Sequence, residues 1–133
     1  MKIFSKEFAT NGLLFLLTLL VFFHLLILVQ VIPYDIVWGS RLKSTSEMMQ
    51  FEIPSILTNL LLLMVVAIKG NKIKLKVNST ILRVFLFAMF ALFVLNTLGN
   101  LVSQNEFEKM VFPPITILMA ILSLRLALVS DKK

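Results

Sequence analysis

Long apolar stretches separated by short polar connections account for most of the chain, at residues 11–32, 53–68, 80–102 and 112–129. Each holds about 16 to 24 residues, and a helix rising about 1.5 Å per residue needs roughly 20 to cross about 30 Å of hydrocarbon. The pattern predicts an all-α protein, a membrane four-helix bundle forming a single integral membrane domain over 1–133. Asn78, Ser79 and Thr80 offer an N-cap to the third span, and Gly70 with Asn71 offers a stop to the second. The chain has 4 prolines, Pro33, Pro54, Pro113 and Pro114, all near the same ends of the spans. Proline fixes φ and lacks an N–H, so Pro33, Pro54 and Pro113 are expected to mark one membrane boundary.

Composition agrees: 59% of residues are apolar, 15% are charged and the mean hydropathy is +0.96, outside the range of water-soluble domains. The first stretch exceeds a signal-peptide core, and 29–33 lacks a small-residue cleavage site, so it is expected to remain as an anchor. The chain has no cysteine, which excludes thiol chemistry and disulfides.

A net charge of +6 raises nucleic acid as a partner until the cations are placed along the chain. Lys2, Lys6, Lys69, Lys72, Lys74, Lys76, Arg83, Arg125, Lys132 and Lys133 fall on one side of a four-span chain, and only Arg41, Lys43 and Lys109 on the other. Cytoplasmic connections carry such an excess, so the bias predicts both termini and the 69–78 connection in the cytoplasm, with no nucleic-acid role. Arg125, inside the last span, is expected to snorkel to the headgroups. Lys72, Lys74 and Lys76 alternate with Ile73, Leu75 and Val77, a pattern that fits a small interfacial hairpin.

The first outward connection, 33–52, is the richest chemically. Ser44 and Glu47 have capping-box spacing, which predicts a short outward-facing interfacial helix from Thr45 to Glu52, with Pro54 kinking or restarting it. Tyr34 and Trp38 suit headgroup depth as interfacial anchors, and Gly39 permits a turn that brings Trp38 beside Arg41.

The run Ile36, Val37, Trp38, Gly39, Ser40, Arg41, Leu42, followed by Glu47, Met48, Phe51 and Glu52, resembles a pattern in small four-span bacterial membrane proteins of unassigned function. The segment Phe112, Pro113, Pro114, Ile115, Thr116 and the later Leu124, Arg125, Leu126, Ala127 are similar to the last helix of that group. The resemblance implies a stand-alone protein of a bacterial inner membrane and carries over no catalytic residue.

Polar side chains within the spans are informative because hydrocarbon offers them no water. At helical rise His24 lies about 12 Å below the outer boundary, Asn59 about 8 Å and Asn96 about 9 Å. Asn96, Asn100 and Gln104 recur every four residues, and Glu52, Ser55 and Asn59 share a face, with Thr116 adding a hydroxyl from the fourth span. Either these groups are interhelical glue around a dry interior, or they line an outward pocket with Trp38, Arg41, Glu47, Glu52 and Glu106 toward its rim. The polar stripe stops halfway across, and no acidic residue lies deep in a span, which speaks against a channel or a proton-coupled exporter.

Catalytic signals are sparse: 1 histidine, no metal-ligand cluster, no glycine-rich phosphate loop and no nucleophile elbow. The expected role is non-enzymatic, with no cofactor. It is binding of a lipid-like or amphiphilic small ligand through Trp38, Arg41, Glu47, Glu52, Asn59, Asn96, Asn100 and Gln104, or service as an accessory subunit to a membrane protein partner. The alternative is a small membrane enzyme acting on an amphiphile through His24 and Glu52 as an acid/base couple.

Overall fold

A computed structural model describes residues 5–130. It contains α1 (Lys6–Leu28), α2 (Thr45–Lys69), α3 (Ser79–Leu101) and α4 (Glu106–Leu128), all four long and apolar enough to cross a membrane. The protein is therefore an all-helical integral membrane protein. Lys2, Lys132 and Lys133, counted above toward the basic side, lie outside the described residues.

Each helix begins at a side-chain cap. Ser5 accepts from the Phe8 N–H, Ser44 from Glu47, Asn78 from Thr80 and Asn105 from Glu108, each satisfying a donor that the first turn cannot. The helix expected from Thr45 to Glu52 is present but runs unbroken into the second span. Likewise α4 begins at Glu106, before Pro113 and Pro114, so of the prolines proposed as boundary marks only Pro33 lies outside a helix. Prolines inside a helix free the carbonyls four residues before them, here those of Gln50, Lys109 and Met110, and the hydroxyls nearby bond to other carbonyls of the same helices. Ser55 Oγ donates to the Phe51 carbonyl at 2.8 Å, and Thr116 Oγ1 to that of Phe112 at 3.0 Å.

The helices pair strongly as α1 with α2 and α3 with α4, with α1 also against α4, whereas α2 and α3 touch only briefly. The shared core takes Leu13 and Leu17 from α1, Leu62 and Val66 from α2, Leu86, Met89 and Phe93 from α3, and Met119, Leu122 and Leu126 from α4. A second cluster, Ile27, Val37, Leu42 and Met48 with Phe23 and Phe112, pins the first connection onto the end of the bundle where α1 stops and α2 starts. At the other end the buried Lys69 Nζ donates to the Val129 carbonyl at 3.0 Å, tying α2 to the end of α4.

The 69–78 connection forms no hairpin. The N–H groups of Lys72 and Ile73 both turn back to the Ala67 carbonyl, at 2.8 and 3.2 Å, and residues 74–78 continue without regular structure. Asn71, not Gly70, takes the left-handed conformation, at φ 62°. Gly70 is needed for space: a Cβ there would stand 2.1 Å from Thr10 Cγ2 and 2.9 Å from Thr10 Cβ.

Gly70→Ala is accordingly expected to destabilise the protein by about 1–3 kcal/mol through overpacking. Thr10→Ala alone costs little, because Thr10 Oγ1 is buried without a partner. Combined with Gly70→Ala it restores part of the loss, since only the Cβ contact persists. Thermal melting in one detergent for all three variants measures this.

Candidate functional site

Where α2 and α3 part, the first half of α2 and the last half of α3 border a cavity of about 530 Å³. Its walls are Ser55, Thr58 and Asn59 of α2 and Asn96, Gly99 and Asn100 of α3; Phe23 and His24 of α1 and Glu108 and Thr116 of α4 also line it, with Trp38 and Arg41 from the first connection. A polar layer thus faces space, with aromatic and aliphatic side chains around it. Part of the layer is satisfied without a ligand: Thr97 and Thr116 join their hydroxyls between α3 and α4 at 2.8 Å, and Asn59 Nδ2 donates to the Ser55 carbonyl on its own helix.

Beside the cavity lies Glu52, with no exposed surface. Its Oε1 accepts the Trp38 indole N–H at 2.9 Å, and its Oε2 meets His24 Nδ1 in a short hydrogen bond. An indole N–H only donates, so Glu52 accepts there; a carboxylate accepts equally from an Nδ1–H. With Glu52 as a carboxylate, a neutral His24 ring carries its proton on Nδ1, and Nε2 is then the unprotonated nitrogen of a residue that lines the cavity. His24 sits four residues before the outer end of α1, about 6 Å along the helix, because α1 stops at Leu28 and not at Ile32.

The backbone that presents Trp38 is unusual. Trp38 and Ser40 take positive φ, 56° and 63°, conformations costing roughly 1–3 kcal/mol each outside glycine. Three contacts hold them: the Glu52 hydrogen bond, the Ser40 hydroxyl donating to the Asp35 carbonyl, and the Trp38 ring against Phe51 at 5.0 Å. The indole N–H is therefore turned inward to a buried carboxylate, where an interfacial anchor would direct it to headgroups.

Of the residues expected at a site, His24, Trp38, Arg41, Asn59, Asn96 and Asn100 line the cavity, and Glu52 holds two of them. Glu47 and Gln104 do not. Glu47 belongs to the capping turn of α2 and lies about 140° round the helix from Glu52. Gln104 follows the end of α3 at Leu101, so the four-residue stripe ends at Asn100. Glu106 is exposed in the first turn of α4 and also stays outside. Glu108, buried and lining the cavity, went unrecognised, as did Thr58. The signal for Glu108 was the cap spacing from Asn105, which starts α4 early enough to carry Glu108 onto the bundle.

Among the described residues no group of three or more His, Cys, Asp or Glu side chains is placed to hold a metal ion. The chain matches no protein-family model, no curated protein and no solved structure. What the site does is argued from its geometry.

Trp38 is the chain's 1 tryptophan, so its fluorescence reports on this site alone. Glu52→Leu leaves the Trp38 and His24 donors unpaired, at a cost of about 1–3 kcal/mol. It is expected to red-shift the emission and increase quenching by acrylamide, whereas Glu47→Leu changes neither.

Proposed function

We propose that the protein binds one lipid-like amphiphile in this cavity, its polar end against the Asn59, Asn96 and Asn100 layer and its chain lying in the slot between α2 and α3. One observation carries the reading. Thr58 and Asn96 are exposed within membrane-spanning helices, on the two sides of a slot their helices do not close. Hydrocarbon tails leave such groups unsatisfied, and an amphiphile's polar end satisfies them. The volume falls within the roughly 300–1,000 Å³ of small-molecule sites. The basic residues support an orientation with both ends cytoplasmic and the cavity outward, in a bacterial inner membrane.

Two measurements test the proposal. Because the chain has no native cysteine, single cysteines at Ser46 and Lys74 label cleanly. An impermeant thiol reagent on intact cells is expected to reach the first and not the second; the reverse overturns the orientation. Native mass spectrometry is expected to find one amphiphile retained by the wild type and lost from Asn96→Leu at an unchanged melting temperature. Equal retention with a lowered melting temperature would identify the layer as interhelical packing. A co-purifying membrane protein on the slot, in place of an amphiphile, moves the role to accessory subunit.

A further inference from the structure

We infer that the cavity hydrolyses an acyl ester of its amphiphile, with His24 as general base and then general acid, Glu52 as the residue that positions it, and water as the nucleophile. The inference rests on the binding reading above and adds chemistry to it.

Ester hydrolysis by water needs a base, a group that fixes the base's tautomer, donors for the carbonyl oxygen, and access for both reactants. His24 is the chain's 1 histidine, and it lines the cavity. Glu52, fully buried, accepts at Nδ1 and so reserves Nε2 for the proton transfer, while the Trp38 indole N–H occupies its other oxygen. A carboxylate held by two donors keeps its orientation as charge develops on the imidazole. Asn96 and Asn100 line the same cavity, and each carries an amide with two N–H donors.

Depth selects the substrate. His24 lies about one turn inside the outer end of α1 and Asn100 next to the last residue of α3. This is the border of hydrocarbon and headgroups, where acyl lipids carry their ester carbonyls. The slot between α2 and α3 takes the chain, and Asn59, Asn96 and Asn100 of the cavity wall offer hydrogen bonds to the attacking water.

The step balances without a further reactant. His24 Nε2 takes a proton from water as its oxygen bonds to the ester carbonyl carbon. The carbonyl oxygen becomes an oxyanion stabilised by an asparagine N–H. The oxyanion collapses, the bond from carbon to the alcohol oxygen breaks, and Nε2–H returns the proton to that oxygen. The products are a fatty acid and an alcohol.

The test uses the full chain in nanodiscs, with 1-palmitoyl-2-oleoyl phosphatidylethanolamine, the corresponding phosphatidylglycerol, dioleoylglycerol and 4-methylumbelliferyl oleate as probes. Wild type is expected to release fatty acid from at least one, and in ¹⁸O-water to place a single ¹⁸O in that acid. His24→Gln is expected to lose about 10²–10⁴-fold in kcat while still retaining the amphiphile in native mass spectrometry. Glu52→Gln can donate its amide to Nδ1 and so favour the wrong tautomer; kcat is expected to fall at least tenfold with KM unchanged, a split that loosened packing does not give. Wild type that retains an amphiphile yet releases no acid from any probe overturns the hydrolysis and leaves the binding reading standing, as does a His24→Gln preparation with full rate. Should His24→Gln not fold, the ¹⁸O result and the Glu52→Gln split decide the question. If wild type retains no amphiphile and releases no acid, the binding reading fails and this inference with it.

Discussion

A carboxylate placed inside a membrane bundle has no water to solvate it, and Glu52 is the residue on which that constraint falls. Its oxygens are taken by His24 from α1 and Trp38 from the first connection, so one buried group joins three consecutive pieces of chain. The strained turn at Trp38 and Ser40 is offset by this contact and by the apolar cluster of Ile27, Val37, Leu42 and Met48 beneath it. Removing one partner would leave the others as unpaired polar groups, which costs more than the hydrogen bond contributes net. The placement of Trp38 at the cavity therefore depends on the hydrogen bond to a single side chain.

Where the helices do not meet matters as much as where they do. Small residues bring some pairs close: a Cβ on Gly12 would stand 3.1 Å from Leu122, and Gly70 touches Thr10. Packing and close approach replace the hydrophobic effect as the force between helices in lipid. Between α2 and α3 the outer walls instead carry Thr58, Asn59, Asn96 and Asn100, and Gly99 has open space where its Cβ would point. Polar groups that have no facing partner on the neighbouring helix cannot close a dry seam, so the gap follows from the residue types at the wall.

The spans, their number and the starts of α2 and α3 were legible because hydrophobic length and cap chemistry are local properties, whereas α1 and α4 begin five or six residues before their apolar stretches, at Lys6 and Glu106. Ser44 and Asn78 cap as their spacing indicates. The prolines misled because a boundary signal and a tolerated interior proline look the same in sequence; what distinguishes Pro54 and Pro113 is that the helix caps, Ser44 and Asn105, stand well before them. The approach of His24 to Glu52 is not legible in local spacing, since residues 28 apart in the chain meet through the packing of α1 on α2. The inward turn of Trp38 was hidden for a different reason. It depends on positive φ at residues that ordinarily avoid it, and propensity points the other way.

The two halves of the bundle differ in a way that bears on mechanism. Toward the Lys69 end Leu17, Val66, Leu86, Met89 and Leu122 fill the interior, and Lys69 ties α2 to the end of α4. The space between α2 and α3 therefore belongs to the half nearer the first connection, where the polar side chains are. Under the binding reading proposed above, polar groups gathered at one end of the cavity orient an amphiphile's head toward that end, which brings the bond nearest the headgroup to the depth of His24.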